Sequence, residues 1–100
     1  MKYNKLVRDK IPEILDKKGI SYEKRIASLK EYKIELIKKL QEEIKEFSEV
    51  GDPEELADIL EVTKAFKNIP EYTKVEELRK KKHKERGGFD KRFILKGKKQ

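Results

Sequence analysis

The stretch LIKKLQEEIKEFSEVGDPEELADILEVTKAF, residues 36–66, decides the fold. Its first half brings back apolar residues at three- and four-residue steps: Leu36, Ile37, Leu40, Ile44 and Phe47. That spacing lays them along one side of an α-helix. Leu29 joins the same series upstream, so the periodicity predicts a helix over Leu29 to Val50. Gly51-Asp52-Pro53 then breaks the chain. Glycine tolerates the left-handed conformation that closes a helix, aspartate suits an N-cap, and proline suits the first helical position. Helical spacing resumes with Leu56, Ile59, Leu60, Val62 and Phe66, and it stops near Asn68-Ile69-Pro70. Two helices joined by so short a turn lie antiparallel, as a hairpin.

Outward from the hairpin the signals weaken. Leu6, Val7, Ile11, Ile14 and Leu15, with Pro12 in a first turn and Gly19 as a stop, predict a short N-terminal helix. Ile20 to Ile26 alternates apolar and polar residues and reads as extended. Val75 to Arg86 is strongly basic with few apolar residues, the pattern of a solvated helix, and Gly87-Gly88 closes it. Phe93-Ile94-Leu95 reads as a short edge strand or a hook onto a neighbouring chain. The expectation is a single all-α domain over residues 1–100, a helical hairpin or bundle with a short C-terminal strand as an option.

The chain has 100 residues, of which 35% are hydrophobic and 47% charged. So short a chain buries only about two-thirds of its unfolded surface. With this few apolar residues the core is thin, and homo-oligomerisation is expected to bury the remaining apolar faces. The net charge of +7, from 27 Lys and Arg against 20 Asp and Glu, favours anionic partners without choosing among them. Cysteine is absent and His83 is the single histidine, which excludes thiolate sites and a multi-histidine zinc site within one chain. No 18-residue apolar run and no signal-peptide core is present, so no membrane partner and a cytoplasmic location are expected.

Two acidic clusters flank the turn: Glu42-Glu43 with Glu46, and Glu55 with Asp58. In a charge-rich chain such residues are ordinarily a solvated face, and Glu55 is also placed to close a capping box on Asp52. Helical phase argues against solvation. At about 100° per residue from Leu40, Glu43 falls near −60°, inside the apolar arc, Glu46 near −120° at its edge, and Glu42 near 200° on the far side. At the same step from Ile59, Glu55 falls near −40°, within the arc, and Asp58 near −100°, at its edge. A hairpin brings both pairs together. Four converging carboxylates repel one another unless a cation joins them. Mg²⁺, a hard ion that takes oxygen ligands and keeps room for waters and phosphates, suits such a site. Calcium in an EF-hand does not, because the carboxylates come from two helices and not from one loop.

The pattern Glu42-Glu43-x-x-Glu46, followed by Glu55-x-x-Asp58, resembles the signature of the all-α nucleoside triphosphate pyrophosphohydrolases, the MazG-like superfamily. The opening Lys5-Leu6-Val7-Arg8-Asp9-Lys10-Ile11-Pro12 and the later Arg86-Gly87-Gly88-Phe89 look like its phosphoribosyl-ATP pyrophosphohydrolase-like branch, so the likeness covers nearly the whole chain. The chain departs from the family in one respect. Eight residues, Phe47 to Glu54, separate its two halves, where the family usually has a longer insert.

The resemblance implies Mg²⁺-dependent hydrolysis of a nucleoside triphosphate to the monophosphate and pyrophosphate, including house-cleaning of non-standard nucleotides. It implies Glu43, Glu46, Glu55 and Asp58 as metal ligands, with Glu42 and Glu43 as catalytic residues. Lys5, Arg8, Lys10, Lys82 and Arg86 are the candidates for phosphate. Lys33 falls inside the apolar arc and is expected to snorkel past it. Tyr3, Tyr22, Tyr32 and Tyr72 are better suited to packing than to stacking a base, and His83 is expected in solvent.

Two rivals stand against this reading. A nucleic-acid-binding protein would use the basic run Arg79-Lys80-Lys81-Lys82-His83-Lys84 and the sequence pI of about 9.5. It lacks interleaved aromatics and leaves the inward glutamates unexplained. A non-catalytic helical assembly protein would use the apolar faces alone.

Overall fold

The computed structural model describes residues 4–98, and Tyr3 lies outside them. The order is α1 (Ile11–Lys17), α2 (Leu29–Val50), α3 (Pro53–Lys67), a 3₁₀ turn (Pro70–Tyr72) and α4 (Val75–Arg86). The fold is all-α, and the described residues contain no strand.

The boundaries of α2 have local causes. Ser28 caps its start by accepting the Glu31 N–H at 3.2 Å. The Glu31 side chain does not turn back to complete a capping box; it takes a two-pronged hydrogen bond from Arg25, at 2.5 and 2.6 Å. At the other end Gly51 adopts φ 76° and donates its N–H to the Phe47 carbonyl at 2.8 Å. A side chain at that φ is strained, so glycine sets this turn. Pro53 then opens α3, whose last turn hands over at Asn68 to the 3₁₀ turn.

Antiparallel packing of α2 on α3 forms the body of the fold. Its buried apolar centre is Leu36, Val62 and Ile69, joined at the edges by Leu6, Tyr32, Leu40, Ala65, Phe66 and Tyr72. Ile69 is the most buried of these, at 2% exposure. The chain turns back at Pro70 and thereby plugs the open end of the hairpin with Ile69. Tyr72 then packs edge-on against Phe66, with ring centroids 5.9 Å apart. Lys33 reaches past the apolar arc as expected: its Nζ meets Glu71 at 2.6 Å and lies 5.1 Å from the Tyr72 ring centre. The 3₁₀ turn is thus tied to α2 as well as to α3.

Burial divides each apolar arc in two. On α2, Leu36 and Glu43 are buried, whereas Ile34, Ile37 and Ile44 stay 42–49% exposed. On α3, Val62 is buried while Leu56 and Leu60 are 44% and 62% exposed. The bare residues lie roughly 100° or more from the buried line on each helix, and antiparallel helices count that rotation in opposite senses. Both bare stripes therefore face the same side of the hairpin. Glu46 and Asp58, offset the other way, face the opposite side.

The radius of gyration is 18.0 Å, where about 13 Å describes a compact chain of this length. The accessible surface of 9984 Å² is about two-thirds more than a compact monomer of this mass exposes. The excess comes from the bare hairpin face, from α4 and from the C-terminal segment.

No strand forms at either segment that the sequence reads as extended or as an edge strand. Ile20 to Ile26 has no regular structure, and neither does Phe93-Ile94-Leu95. A strand needs a partner edge to satisfy its backbone groups, and none is at hand among the described residues. Phe93, Ile94 and Leu95 remain 77–94% exposed.

Candidate metal centre

Glu43 sits in the middle of α2, aimed at α3, and is the one buried charged residue among those described, at 6% exposure. From α3, Glu55 and Asp58 meet it: one carboxylate oxygen from each of the three lies within 4.8 Å of the others. In a metal shell two ligands can stand at most two bond lengths apart, about 4.2 Å for Mg²⁺ and about 5 Å for Ca²⁺. The cluster is therefore at cation scale, and small rotamer shifts adapt it to the smaller ion.

A second observation supports the fit. Oε2 of Glu43 and Oε2 of Glu55 are both buried without a hydrogen-bond partner. An unsatisfied buried carboxylate oxygen is costly, and a bound cation supplies what these two lack.

The electrostatics point the same way. Glu43 has its pKa raised, first by burial and then by the charges of Glu46 and Asp58, with Lys39 pulling in the opposite direction. Glu55 is raised too, by burial, by the charge of Glu46, and by the hydrogen bond that a protonated Glu55 gives to Glu46. Both groups thus gain by holding a proton where a cation would otherwise balance the charge.

The other anticipated residues divide clearly. Glu46 stands outside the three-oxygen group and faces Glu55. Glu42 also stands outside it, tied to Lys5 at 3.5 Å and Lys39 at 3.8 Å. The capping-box role of Glu55 is corrected: the Asp52 side chain makes no cap hydrogen bond, and Glu55 Oε2 has no partner. Asp52 keeps the extended backbone of an N-cap, while the Glu55 side chain lies in the carboxylate cluster across the hairpin.

Among the basic candidates, Arg8 reaches the centre, with Nη2 2.7 Å from Asp58 Oδ1. Lys5 reaches its flank through Glu42. Lys10 is exposed at the start of α1. Lys82 and Arg86 are exposed on α4 and form no ion pair with the carboxylates. His83 is exposed as expected, and Tyr22 donates to Asp16 at 2.7 Å, away from the centre.

One site residue went unanticipated. Lys39 Nζ lies 3.6 Å from Glu43 and 3.8 Å from Glu42, a full turn earlier on the same helix. The i, i+4 spacing to Glu43 was the available signal. It was obscured because lysines four residues from glutamates are ordinary in so charged a chain. Lys39 and Lys5 also line a hollow of about 260 Å³ beside the centre, together with Asn4, Leu6, Glu35, Lys38 and Glu42.

Comparison with protein-family models, with curated proteins and with solved structures finds no match to this chain.

Proposed function

We propose that the chain is a divalent-cation-dependent nucleotide pyrophosphohydrolase, cleaving a nucleoside triphosphate or related nucleotide to the monophosphate and pyrophosphate. The observation that carries this reading is the buried Glu43, which has an unpartnered carboxylate oxygen and joins Glu55 and Asp58 in a group of cation size. The resemblance of Glu42-Glu43-x-x-Glu46 and Glu55-x-x-Asp58 to the MazG-like signature supplies the reaction class. Mg²⁺ held there would neutralise phosphate charge and lower the pKa of a coordinated water.

The chain's own residues do the rest. Glu43, Glu55 and Asp58 would hold the cation, and Glu46 lies beside Glu55, where it could orient a water. Arg8 supplies a planar donor fork for phosphate oxygens. Lys5, Lys38 and Lys39 face Glu35 and Glu42 along the adjoining hollow, which leaves it a small excess of positive charge. Glu42 positions Lys5 and Lys39 and does not itself touch the cation.

The proposal includes a homo-oligomer. The bare side of the hairpin presents Ile34, Ile37, Ile44, Leu56 and Leu60, and a second copy packed there would complete a four-helix bundle. Obligate homodimers bury about 2,000–5,000 Å², an amount this chain's surplus surface can supply. The carboxylates, on the opposite side, would stay open to substrate.

A nucleotide panel assayed with Mg²⁺, scoring pyrophosphate against orthophosphate, tests the reaction. Pyrophosphate is expected, and orthophosphate as the sole product rejects the reaction class. The rival nucleic-acid reading draws on α4, whose basic residues Lys80 to Lys84 are exposed. A salt-sensitive gel shift at physiological ionic strength would favour it.

A further inference from the structure

The cations around the carboxylate centre are attached in different ways. Lys39 is built into α2 and reaches Glu43 along its own helix. Arg8 lies in the irregular segment before α1, fifty positions from the residue it contacts, and its side chain is 57% exposed. Lys39 belongs to α2 itself, whereas Arg8 joins the site from the segment that Leu6 packs on the core, through its ion pair with Asp58.

Asp58 is at once the partner of Arg8 and one of the three residues that converge at cation scale. An oxygen that accepts a guanidinium N–H at 2.7 Å offers less charge to a metal, and a divalent ion arriving beside it repels the guanidinium. Even with a second oxygen free on Asp58, a shared carboxylate sets the two cations close enough to repel.

We propose that Arg8 is the internal counter-ion of this site: it occupies Asp58 until a divalent cation arrives, is displaced by it, and then turns its freed fork to the phosphates of the incoming nucleotide. This rests on reading the carboxylate cluster as a cation site. It adds an order of binding, cation before nucleotide, set by one residue of the N-terminal segment. Arginine suits the exchange because its five coplanar donors match a carboxylate and a phosphate equally well. Its exposed side chain can pass from one to the other without moving either helix. Arg8 acts here as a positioning and gating residue, and it competes with the cation in the absence of nucleotide.

The test uses the full chain, with Mg²⁺ alone and then with inorganic tripolyphosphate as the anion probe, both followed by calorimetric titration. Circular dichroism verifies the fold of each variant. Arg8→Met is expected to bind Mg²⁺ about three- to ten-fold more tightly than the unaltered chain, because a competing charge-assisted hydrogen bond is gone. In saturating Mg²⁺ the same variant is expected to bind tripolyphosphate at least ten-fold more weakly. Arg8→Lys, which keeps the charge and loses the fork, should fall between on both measures. Equal or weaker Mg²⁺ binding by Arg8→Met overturns the counter-ion role while leaving the cation site in place. Absence of Mg²⁺ binding by either chain at millimolar concentration overturns the cation site, and the inference with it.

Discussion

Glu43 of α2 and Glu55 of α3 face each other across the hairpin, each with a buried carboxylate oxygen that has no hydrogen-bond partner. Few arrangements are less suited to a protein that only needs to be stable. Burying a charge costs free energy, and here the buried Glu43 is set against the half-buried Glu55 and Asp58. The pair is a local sacrifice of stability at the point where three carboxylates could hold a cation.

The sacrifice should be measurable. Glu43 has a raised pKa in the folded chain, so the folded state binds protons more readily than the unfolded one. Stability without metal therefore falls as pH rises from the ordinary carboxylate range through the raised folded value. Glu43→Gln removes the charge and keeps the shape. Its melting temperature without metal should exceed that of the unaltered chain by a few degrees at neutral pH, and the gap should close near pH 4. A variant less stable at neutral pH would contradict this account.

The same shifts govern metal affinity. Glu43 and Glu55 must lose their protons to bind a cation. Mg²⁺ affinity followed by calorimetry should begin to fall at a pH above the ordinary carboxylate range. It should fall more steeply than one proton per cation, since two groups are involved. A profile flat down into the ordinary carboxylate range would contradict the raised values of these two carboxylates.

Asp58 and Glu42 should respond very differently to amidation. Loss of a metal ligand removes several kcal/mol of transition-state stabilisation, so Asp58→Asn should lower the rate of pyrophosphate release at least about a hundred-fold. Glu42 meets Lys5 and Lys39 at the flank, and Glu42→Gln should retain activity to within about ten-fold. A Glu42→Gln variant as inactive as Asp58→Asn would return Glu42 to the catalytic set.

The bare apolar face has its own test. Leu60 is 62% exposed and Ile37 42% exposed, so Ile37→Glu and Leu60→Glu should each change the stability of the isolated chain by only about 0.5 kcal/mol. Sedimentation should nevertheless show the double variant shifting from oligomer to monomer. Unchanged sedimentation would mean that the face is not buried between copies.

Much of this was legible in the chain itself. Leu36, Glu43 and Val62 lie on the buried line because a helix repeats its faces at a fixed angle, and one residue's phase predicts the next. Gly51-Asp52-Pro53 marked the turn because each residue favours a backbone conformation that the turn requires. The role of Ile69 was hidden, since it lies past the end of α3 and is buried only because the chain reverses at Pro70. The phase of Glu55 fits the inward arc and its position in α3 also fits a cap, and only the packed hairpin shows that Asp52 makes no side-chain cap there.

The sequence by itself determined the two long helices, the turn between them and the inward placement of Glu43 and Glu55. All of these follow from interactions within a few residues along the chain. Only the tertiary structure decided that Arg8 rests on Asp58, that Glu46 stands beside the three-oxygen group, and that half of each apolar arc is left bare. Those outcomes depend on how separate elements lie against one another in space, and helical periodicity carries no information about that.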